Sequence, residues 1–170
     1  MASKNRPRRV LGSPRVSIAN LAHGFRKCIH LLSRIPGVRP PLLLTSLGRA
    51  YLAFCSPAKQ EKLLATLAAS NRSVNAAARN DPAGVQKMLE DVRQKGYAIP
   101  DPDFNSSSSS GSGLITGFSV PVFCGGEVFA SLSTSFLISA MSLEKGVETL
   151  LPALKETADT LSELISKNYG

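Results

Sequence analysis

The strongest candidate for ligand chemistry in this sequence is a short polar turn, Thr45-Ser46-Leu47-Gly48, at the head of an apolar segment. Thr45 or Ser46 can cap a helix here, and the first backbone amides of a helix have no acceptor within it. Those amides and the helix dipole favour an anion, and a carboxylate would suit the position. A capped helix start that binds nothing is the commoner use of such a turn.

Three serines, Ser131, Ser133 and Ser135, alternate with other side chains in the segment ASLSTSF. In a strand this alternation places the three hydroxyls on one face. A row of hydroxyls is expected on the solvent-exposed face of a half-buried antiparallel strand, and it also suits the wall of a pocket. The residues alone leave both interpretations open.

Motifs for catalysis, metal binding and phosphate binding are missing from the sequence. The two histidines, His23 and His30, have no nucleophile elbow beside them, and Cys28 adds only one further metal ligand to His30. The acidic residues are scattered, without a pair placed for acid–base chemistry. We therefore expect no enzyme, no metal and no cofactor. The remaining enzyme hypothesis, a nucleophilic Cys55 or Cys124, requires an accessible thiol of lowered pKa.

Length and composition favour one globular domain. The chain has 170 residues, of which 43% are hydrophobic, enough to bury a core. No apolar run reaches the roughly 18 residues that a membrane span needs, so we expect no membrane partner. The three cysteines have no paired spacing, which fits a reducing compartment and a cytoplasmic protein.

The net charge of +8 is concentrated at the N-terminus. Residues 1–50 contain ten of the 20 Lys and Arg residues and none of the 12 acidic residues, so residues 51–170 carry a net charge of −2. A basic arm can bind nucleic acid or anionic lipid, and an Arg-rich start also resembles an organelle transit peptide. A solvated tail is the simplest interpretation of residues 1–15. The alternative function based on this arm is non-specific nucleic-acid binding, which salt would weaken steeply.

Capping residues and apolar periodicity predict four helices. Each begins at a small polar residue that can cap it, and two have a proline at their first position. The predicted helices run from Thr45 or Ser46 to about Cys55, from Ser56-Pro57 through Leu67, from Asp81-Pro82 to Gly96, and from Leu143, capped by Ser142, to about Lys167.

The strands are predicted mainly around one hairpin. Glycines in the segment CGGE, residues 124–127, are typical of a tight turn between strands at 114–123 and 128–136. Pro121 should lie at an edge or a bulge. Shorter strands are predicted at residues 15–20 and 97–99.

The order of these elements predicts an α+β domain with helices packed on an antiparallel sheet. The serine-rich segment 101–113 cannot pack into a core and is predicted to be a flexible loop. We place a basic, irregular N-terminal segment, a linker remnant with a possible first strand, at residues 1–37. The folded domain then occupies residues 38–170.

Four segments, in this order, resemble parts of the effector-binding domain of IclR-type bacterial transcription regulators. The first has the family's Thr/Ser-x-x-Gly-Arg-Ala-x-Leu-Ala pattern, and the others resemble its Arg-x-x-Gly-Tyr motif, its Pro-Val hairpin and its last helix. The phrases RAYLAFC and SAMSLEKGVETLLPAL resemble the MhpR-like activators of aromatic-acid catabolism. The four segments are residues 42–67, 92–99, 118–136 and 141–165, within a resemblance over roughly residues 38–168.

The resemblance implies a GAF-like fold, with helices packed on an antiparallel sheet and a long C-terminal helix. It also implies a small organic or aromatic acid as effector, and a homodimer or homotetramer. In the family an N-terminal winged helix-turn-helix binds DNA, and residues 1–37 do not resemble one. We therefore expect the protein to reach DNA only through a winged-helix domain that lies outside this sequence.

The resemblance further implies positions for the effector pocket, which the family builds from the turn before the first helix and from both strands of the hairpin. The serine-rich segment stands where the family often supplies an acidic pocket residue, for which Asp101 and Asp103 are the nearest substitutes. Carried to this sequence, backbone amides would come from Ser46 and Leu47, walls from Phe118, Val120 and Pro121, and hydroxyls from Ser133 and Ser135.

Overall fold

The computed structural model of the protein describes residues 41–102, 104 and 115–169. The basic segment 1–37, with the strand predicted at residues 15–20, lies outside the described residues, as do Asp103 and most of the serine-rich segment. Among the described residues, no helix is both long enough and apolar enough to cross a membrane.

Helices flank one antiparallel hairpin in the described part of the chain. This arrangement confirms the predicted α+β class with helices on an antiparallel sheet and a long C-terminal helix. The elements in chain order are α1 (Ser46–Phe54), α2 (Pro57–Ala68), a 3₁₀ turn (Ser73–Asn75), α3 (Ala76–Asn80), α4 (Pro82–Lys95), β1 (Ile115–Cys124), β2 (Glu127–Leu137) and α5 (Leu143–Tyr169).

Local chemistry sets the ends of α1 and α4 as predicted. Thr45 Oγ1 accepts a hydrogen bond from the Gly48 amide at 3.1 Å, and Asp81 Oδ1 accepts one from the Gly84 amide at 2.8 Å. Each bond satisfies one of the amides that a helix start leaves unpaired. Gly96 ends α4 with a φ of 75°, a left-handed conformation that glycine adopts without strain.

The starts of α2 and α5 differ in how they are capped. Ser56 occupies the N-cap position of α2 as predicted, but its side chain makes no capping hydrogen bond. Pro57 instead fixes the first turn of α2, where the missing proline amide removes no helical bond. At α5 the predicted cap is confirmed, since Ser142 Oγ accepts from the Lys145 amide at 3.2 Å.

The hairpin of β1 and β2 turns at Gly125 and Gly126, whose φ angles are 58° and 83°. Left-handed conformations at both positions match the twist of the strands in a two-residue turn, as the CGGE segment predicted. The register pairs Ser119 with Ser133, and it shifts by one residue between Val122 and Phe123.

The strand predicted at residues 97–99 is shorter than expected, because only Ala98 pairs with β1, at Ser119. The Ser119 amide donates to the Ala98 carbonyl at 2.9 Å, and the Ser119 carbonyl accepts from the Ala98 amide at 2.8 Å. Both backbone groups of Ser119 thus point away from β2. Pro121, two residues further on, has the same orientation, so its missing amide removes no bond between β1 and β2.

The helices α1 and α5 lie on opposite faces of the hairpin. On one face, Leu154 and Ala158 of α5 pack against Phe118, Val120 and Val122 of β1. On the other face, α1 contacts both β1 and β2. A second core joins α1 to α4 through Leu52, Ala53, Val85, Leu89 and Val92. The helix α1 therefore lies between the hairpin and α4, which fixes the position of its first turn.

Candidate functional site

The first turn of α1 keeps two backbone amides available. The Gly48 amide is paired with Thr45 Oγ1 at 3.1 Å, and the Arg49 amide donates to the Thr45 carbonyl at 3.0 Å. Within the described residues, the amides of Ser46 and Leu47 have no acceptor. Two unpaired donors at the positive end of a helix dipole are suited to an anion.

Gly48 lets the chain that precedes α1 pass very close to the first turn of the helix. A Cβ atom at Gly48 would lie 2.3 Å from the carbonyl oxygen of Leu42 and 2.4 Å from the Leu42 Cα. Contacts this short with backbone atoms leave space for glycine and for no larger residue. The glycine of the turn therefore has a packing role that is independent of any ligand.

Arg49 holds together the segments on either side of this turn. Its Nε donates to the Leu43 carbonyl at 2.6 Å, its Nη1 donates to the Ile99 carbonyl at 3.4 Å, and its Nη2 forms an ion pair with Asp101. The Asp101 amide also donates to the Leu44 carbonyl at 2.8 Å. Burial lowers the pKa of Arg49, and Asp101 opposes that shift. Arg49 and Asp101 thus act as a structural pair.

One hydrogen bond joins the first turn of α1 to the hairpin. Ser119 Oγ donates to Ser46 Oγ at 2.8 Å, and Ser119 is completely buried. One hydroxyl of this pair donates the bond, and the proton of the other remains for a further acceptor. Ser133 lies directly opposite Ser119, in a pair whose backbone groups do not bond each other. Such pairs bring their Cα atoms to about 4.5 Å, so the Ser119 and Ser133 side chains are neighbours.

Four serines share the face of the hairpin that α1 covers, and we call Ser119, Ser131, Ser133 and Ser135 the serine face. Directly opposite residues of an antiparallel pair lie on one face, and these serines pair with one another or with Pro121 and Gly117. Their exposure differs, because Ser119 and Ser131 are buried, Ser133 is half-buried and Ser135 is exposed.

The structure brings together five of the seven predicted site residues and separates two. Phe118 and Val120 lie on the opposite face of β1, where they pack against α5. They share no face with Pro121, since neighbouring residues of a strand point in opposite directions. The other five lie at the first turn of α1 or on the α1 side of the hairpin: Ser46, Leu47, Pro121, Ser133 and Ser135. Their role in binding stays a prediction.

Residues 26–163 match the sequence model of one protein family. That family is described as the C-terminal domain of the bacterial transcriptional regulator IclR. The chain belongs to this family. The match extends over all seven predicted site residues and over the hairpin, α1 and most of α5.

Solved IclR-type structures share the fold of this domain. The C-terminal domain of KdgR from E. coli aligns with 22% identity over 76% of this chain and 74% of its own, with a TM-score of 0.57. A double mutant of the PobR inducer-binding domain from Acinetobacter, in complex with 3-hydroxybenzoic acid, aligns with 22% identity over 76% of this chain and 69% of its own, with a TM-score of 0.56. IclR from Thermotoga maritima aligns with 22% identity over 79% of this chain and 53% of its own, with a TM-score of 0.56. The chain therefore spans about half the length of that regulator.

Ser119 is the residue of this IclR-type domain that sequence reasoning missed. It is buried and bonded to Ser46, yet it was not among the predicted site residues. A signal was present, because Ser119 lies two residues before Pro121 and alternation places both on one face. A polar residue in the centre of a mostly apolar strand was the clue.

A separate groove of about 320 Å³ lies between α2, α3 and α4 of the IclR-type domain. Its walls are mainly apolar and include Leu64, Ala68, Ala78 and Val85, and none of the seven predicted site residues lines it. Among the described residues that line it, Glu61 is the only charged one, and its carboxylate would repel an acid. The groove is therefore a poor site for an acid, in contrast to the first turn of α1.

Cys55, one of the two free cysteines of the described chain, lacks the features of a reactive nucleophile. Cys55 is buried, its Sγ donates to the Leu52 carbonyl at 3.4 Å, and burial raises the pKa of its thiol. A raised pKa disfavours the thiolate that a nucleophile needs. Among the described residues, no three His, Cys, Asp or Glu side chains are grouped as metal ligands.

We expect the Cys55 thiol to react with iodoacetamide at neutral pH at least about tenfold more slowly in the folded protein than in the unfolded protein. The physical reasons are its burial and its raised pKa. Peptide mass analysis of timed samples measures the rate at Cys55 itself, and the half-buried Cys124 is followed in the same digest. Rapid modification of folded Cys55 would restore the nucleophile hypothesis.

Proposed function

We propose that this domain senses a small organic or aromatic carboxylic acid, whose carboxylate binds at the first turn of α1. The observation that carries the proposal is the pair of unpaired amides at Ser46 and Leu47 beside the Ser119–Ser46 hydrogen bond. These groups offer donors in one place and a favourable helix dipole. The domain then acts as a sensor and not as a catalyst.

The donors of the proposed site are neutral groups. Arg49, the cation nearest in sequence to the first turn, is engaged by two carbonyl groups and by Asp101. The carboxylate would therefore be held by backbone amides and by the free hydroxyl proton of the Ser46–Ser119 pair. The apolar part of the acid would extend from the first turn of α1 along the serine face, next to Ser133. This division into a polar end and an apolar wall is typical of small-molecule sites.

Membership of the IclR family supports a regulatory role for the acid. The related PobR domain is described as an inducer-binding domain, and its double mutant was solved in complex with 3-hydroxybenzoic acid. By analogy, we propose that binding of an acid here controls DNA binding by a winged-helix domain, within a homodimer or homotetramer. An acid from aromatic catabolism is the preferred effector, because of the resemblance to the MhpR-like activators.

Thermal unfolding against pairs of an acid and its neutral amide tests the proposal. The panel includes benzoate with benzamide, 3-phenylpropionate with its amide, and pyruvate with its amide. An acid at about 100 times its Kd should stabilise the folded state by about 2.7 kcal/mol, and its amide should not. A panel in which no acid raises the Tm, or in which amides act equally, would contradict the proposed site.

We expect Ser133→Leu to weaken binding of the active acid by at least about tenfold, because the added side chain occupies the space beside Ser119. The exposed Ser139→Leu is the matched control, since it adds the same bulk beyond the end of β2. Calorimetric titration of both variants measures the affinities. Unchanged affinity in both Ser133→Leu and Ser135→Leu would reject the serine face as part of the site.

A further inference from the structure

The outer edge of β2, the row of backbone groups that point away from β1, has no strand beside it among the described residues. Because Ser119 and Ser133 form a pair whose backbone groups point away from each other, every second amide of β2 is directed outward. Within the described part of the chain, no acceptor pairs with these amides, which belong to Ser131, Ser133, Ser135 and Leu137. A row of free backbone groups is a template for another strand.

The sequence of β2 does not protect this edge against pairing. Charged side chains and proline commonly protect an edge strand, and Pro121 lies on the outer edge of β1. Residues 128–143, in contrast, contain no charged residue and no proline. The register shift lies at the turn end of the hairpin, so residues 130–137 pair regularly with β1. Of the three exposed large hydrophobic residues in the described chain, Phe129 and Ile138 lie at the two ends of this edge.

We propose that the outer edge of β2 pairs with the same edge of a second copy of this chain, antiparallel and centred on Thr134. The four outward amides are spaced symmetrically about Thr134, so each would lie opposite another member of the set. Ser133 would pair with Ser135 of the second copy, and Ser131 with Leu137. The two hairpins then form one sheet of four strands. This pairing is independent of the effector.

The side chains that this register brings together suit a symmetric interface. A residue at the two-fold axis lies opposite its own copy, where a charged side chain would meet a like charge. Thr134 is uncharged and half-buried, and pairs of threonines across strands are favourable. Leu132 would lie opposite Phe136 of the second copy, an aliphatic–aromatic pair. Antiparallel pairing also brings the exposed Ile138 of one copy to the end that carries Phe129 in the other.

Charge reversal at Thr134 tests the proposal. We expect the unmodified full chain to reach at least twice its mass of 18.0 kDa in light scattering at rising concentration. Thr134→Lys and Thr134→Glu should each associate at least about tenfold more weakly, because like charges would meet at the axis. An equal mixture of the two variants should regain the association, since opposite charges then meet. The matched control is Thr160→Lys, on the exposed side of α5, which should associate as the unmodified chain does.

Three results of these measurements would overturn the proposal. They are a chain that stays monomeric at every concentration, an association that Thr134→Lys leaves unchanged, and a mixture of the two variants that does not regain association.

Hydrogen exchange of the unmodified chain gives a readout that does not depend on the folding of a variant. The outward amides of Ser133 and Ser135 should exchange more slowly as the concentration rises. The Thr134 amide, in a bonded pair with Phe118, should be slow at every concentration. Slow exchange of the outward amides in a monomer would instead identify a segment of the same chain beside β2. That result, or fast exchange at every concentration, would overturn pairing with a second copy.

Discussion

Replacing Gly48 with alanine is expected to lower the free energy of unfolding by about 3 kcal/mol. The added Cβ would lie 2.3 Å from the Leu42 carbonyl oxygen, and also within 2.6 Å of the Leu42 carbonyl carbon. Backbone atoms cannot rotate away as the end of a flexible side chain can. The segment before α1 would have to move, and with it the Arg49 bond to Leu43.

Chemical denaturation of Gly48→Ala beside Gly126→Ala measures this effect. Gly126 lies in the hairpin turn with a φ of 83°, and a Cβ there would meet nothing within 4 Å. Its replacement should therefore cost only the left-handed backbone strain, about 1 kcal/mol. Alanine is also the better helix former at Gly48 by about 1 kcal/mol, so a steric effect must overcome that gain. A Gly48→Ala protein as stable as the unmodified one would show that Leu42 does not pass so close.

Replacing Arg49 with methionine is expected to lower the free energy of unfolding by about 3 kcal/mol. The side chains of Arg49 and Asp101 are only 12% and 26% exposed, so the pair is largely shielded from water. Methionine keeps most of the volume and removes every donor. The Leu43 and Ile99 carbonyls and the Asp101 carboxylate would each lose a hydrogen-bond donor.

Two further variants separate the contribution of the Arg49 hydrogen bonds to stability from the contribution of its positive charge. The exposed Arg79 donates to one carbonyl, that of Ser70, and Arg79→Met should cost less than about 1 kcal/mol. Arg49→Lys keeps the positive charge, but a lysine ammonium cannot reach the three acceptors that the planar guanidinium group of arginine contacts. Lysine should therefore recover less than half of the stability that Arg49→Met loses. Full recovery by lysine in a denaturation experiment would show that charge alone matters at this position.

The fold was predictable where it depends on neighbouring residues. Thr45 and Asp81 cap their helices through the amide three residues later, and Gly96 ends α4 with a left-handed conformation. Gly125 and Gly126 turn the hairpin in the same local way. These interactions span two to four residues, so the sequence pattern alone specifies them.

Elements that depend on distant contacts were harder to predict. The 3₁₀ turn at Ser73–Asn75 and the five-residue α3 were not expected, and α3 is too short to show apolar periodicity. Its Ala78 joins the core with α4, which no local pattern indicates. The predicted strand at residues 97–99 is only a bridge at Ala98 for a related reason, since pairing depends on the position of β1.

The candidate site was predictable in part. The turn at Ser46 and the alternating serines of β2 follow from type and spacing, and the hydrogen bond between Ser119 and Ser46 brings the two together over 73 residues. Phe118 and Val120 were assigned to a pocket wall beside Pro121, although alternation along one strand separates them. Their packing against α5 comes from a helix that begins six residues after β2 ends.

The most direct test of the account is a titration of ¹⁵N-labelled protein, observed at its backbone amides, with the acid that raises the Tm most. We predict saturable shifts at the Ser46 and Leu47 amides, whose donors are unpaired, with a Kd equal to that from calorimetry. The Gly84 amide, paired with Asp81, serves as a control at the start of another helix. Shifts confined to the groove at Gln60, Glu61 and Ala65, with Ser46 and Leu47 unchanged, would contradict binding of the acid at the first turn of α1.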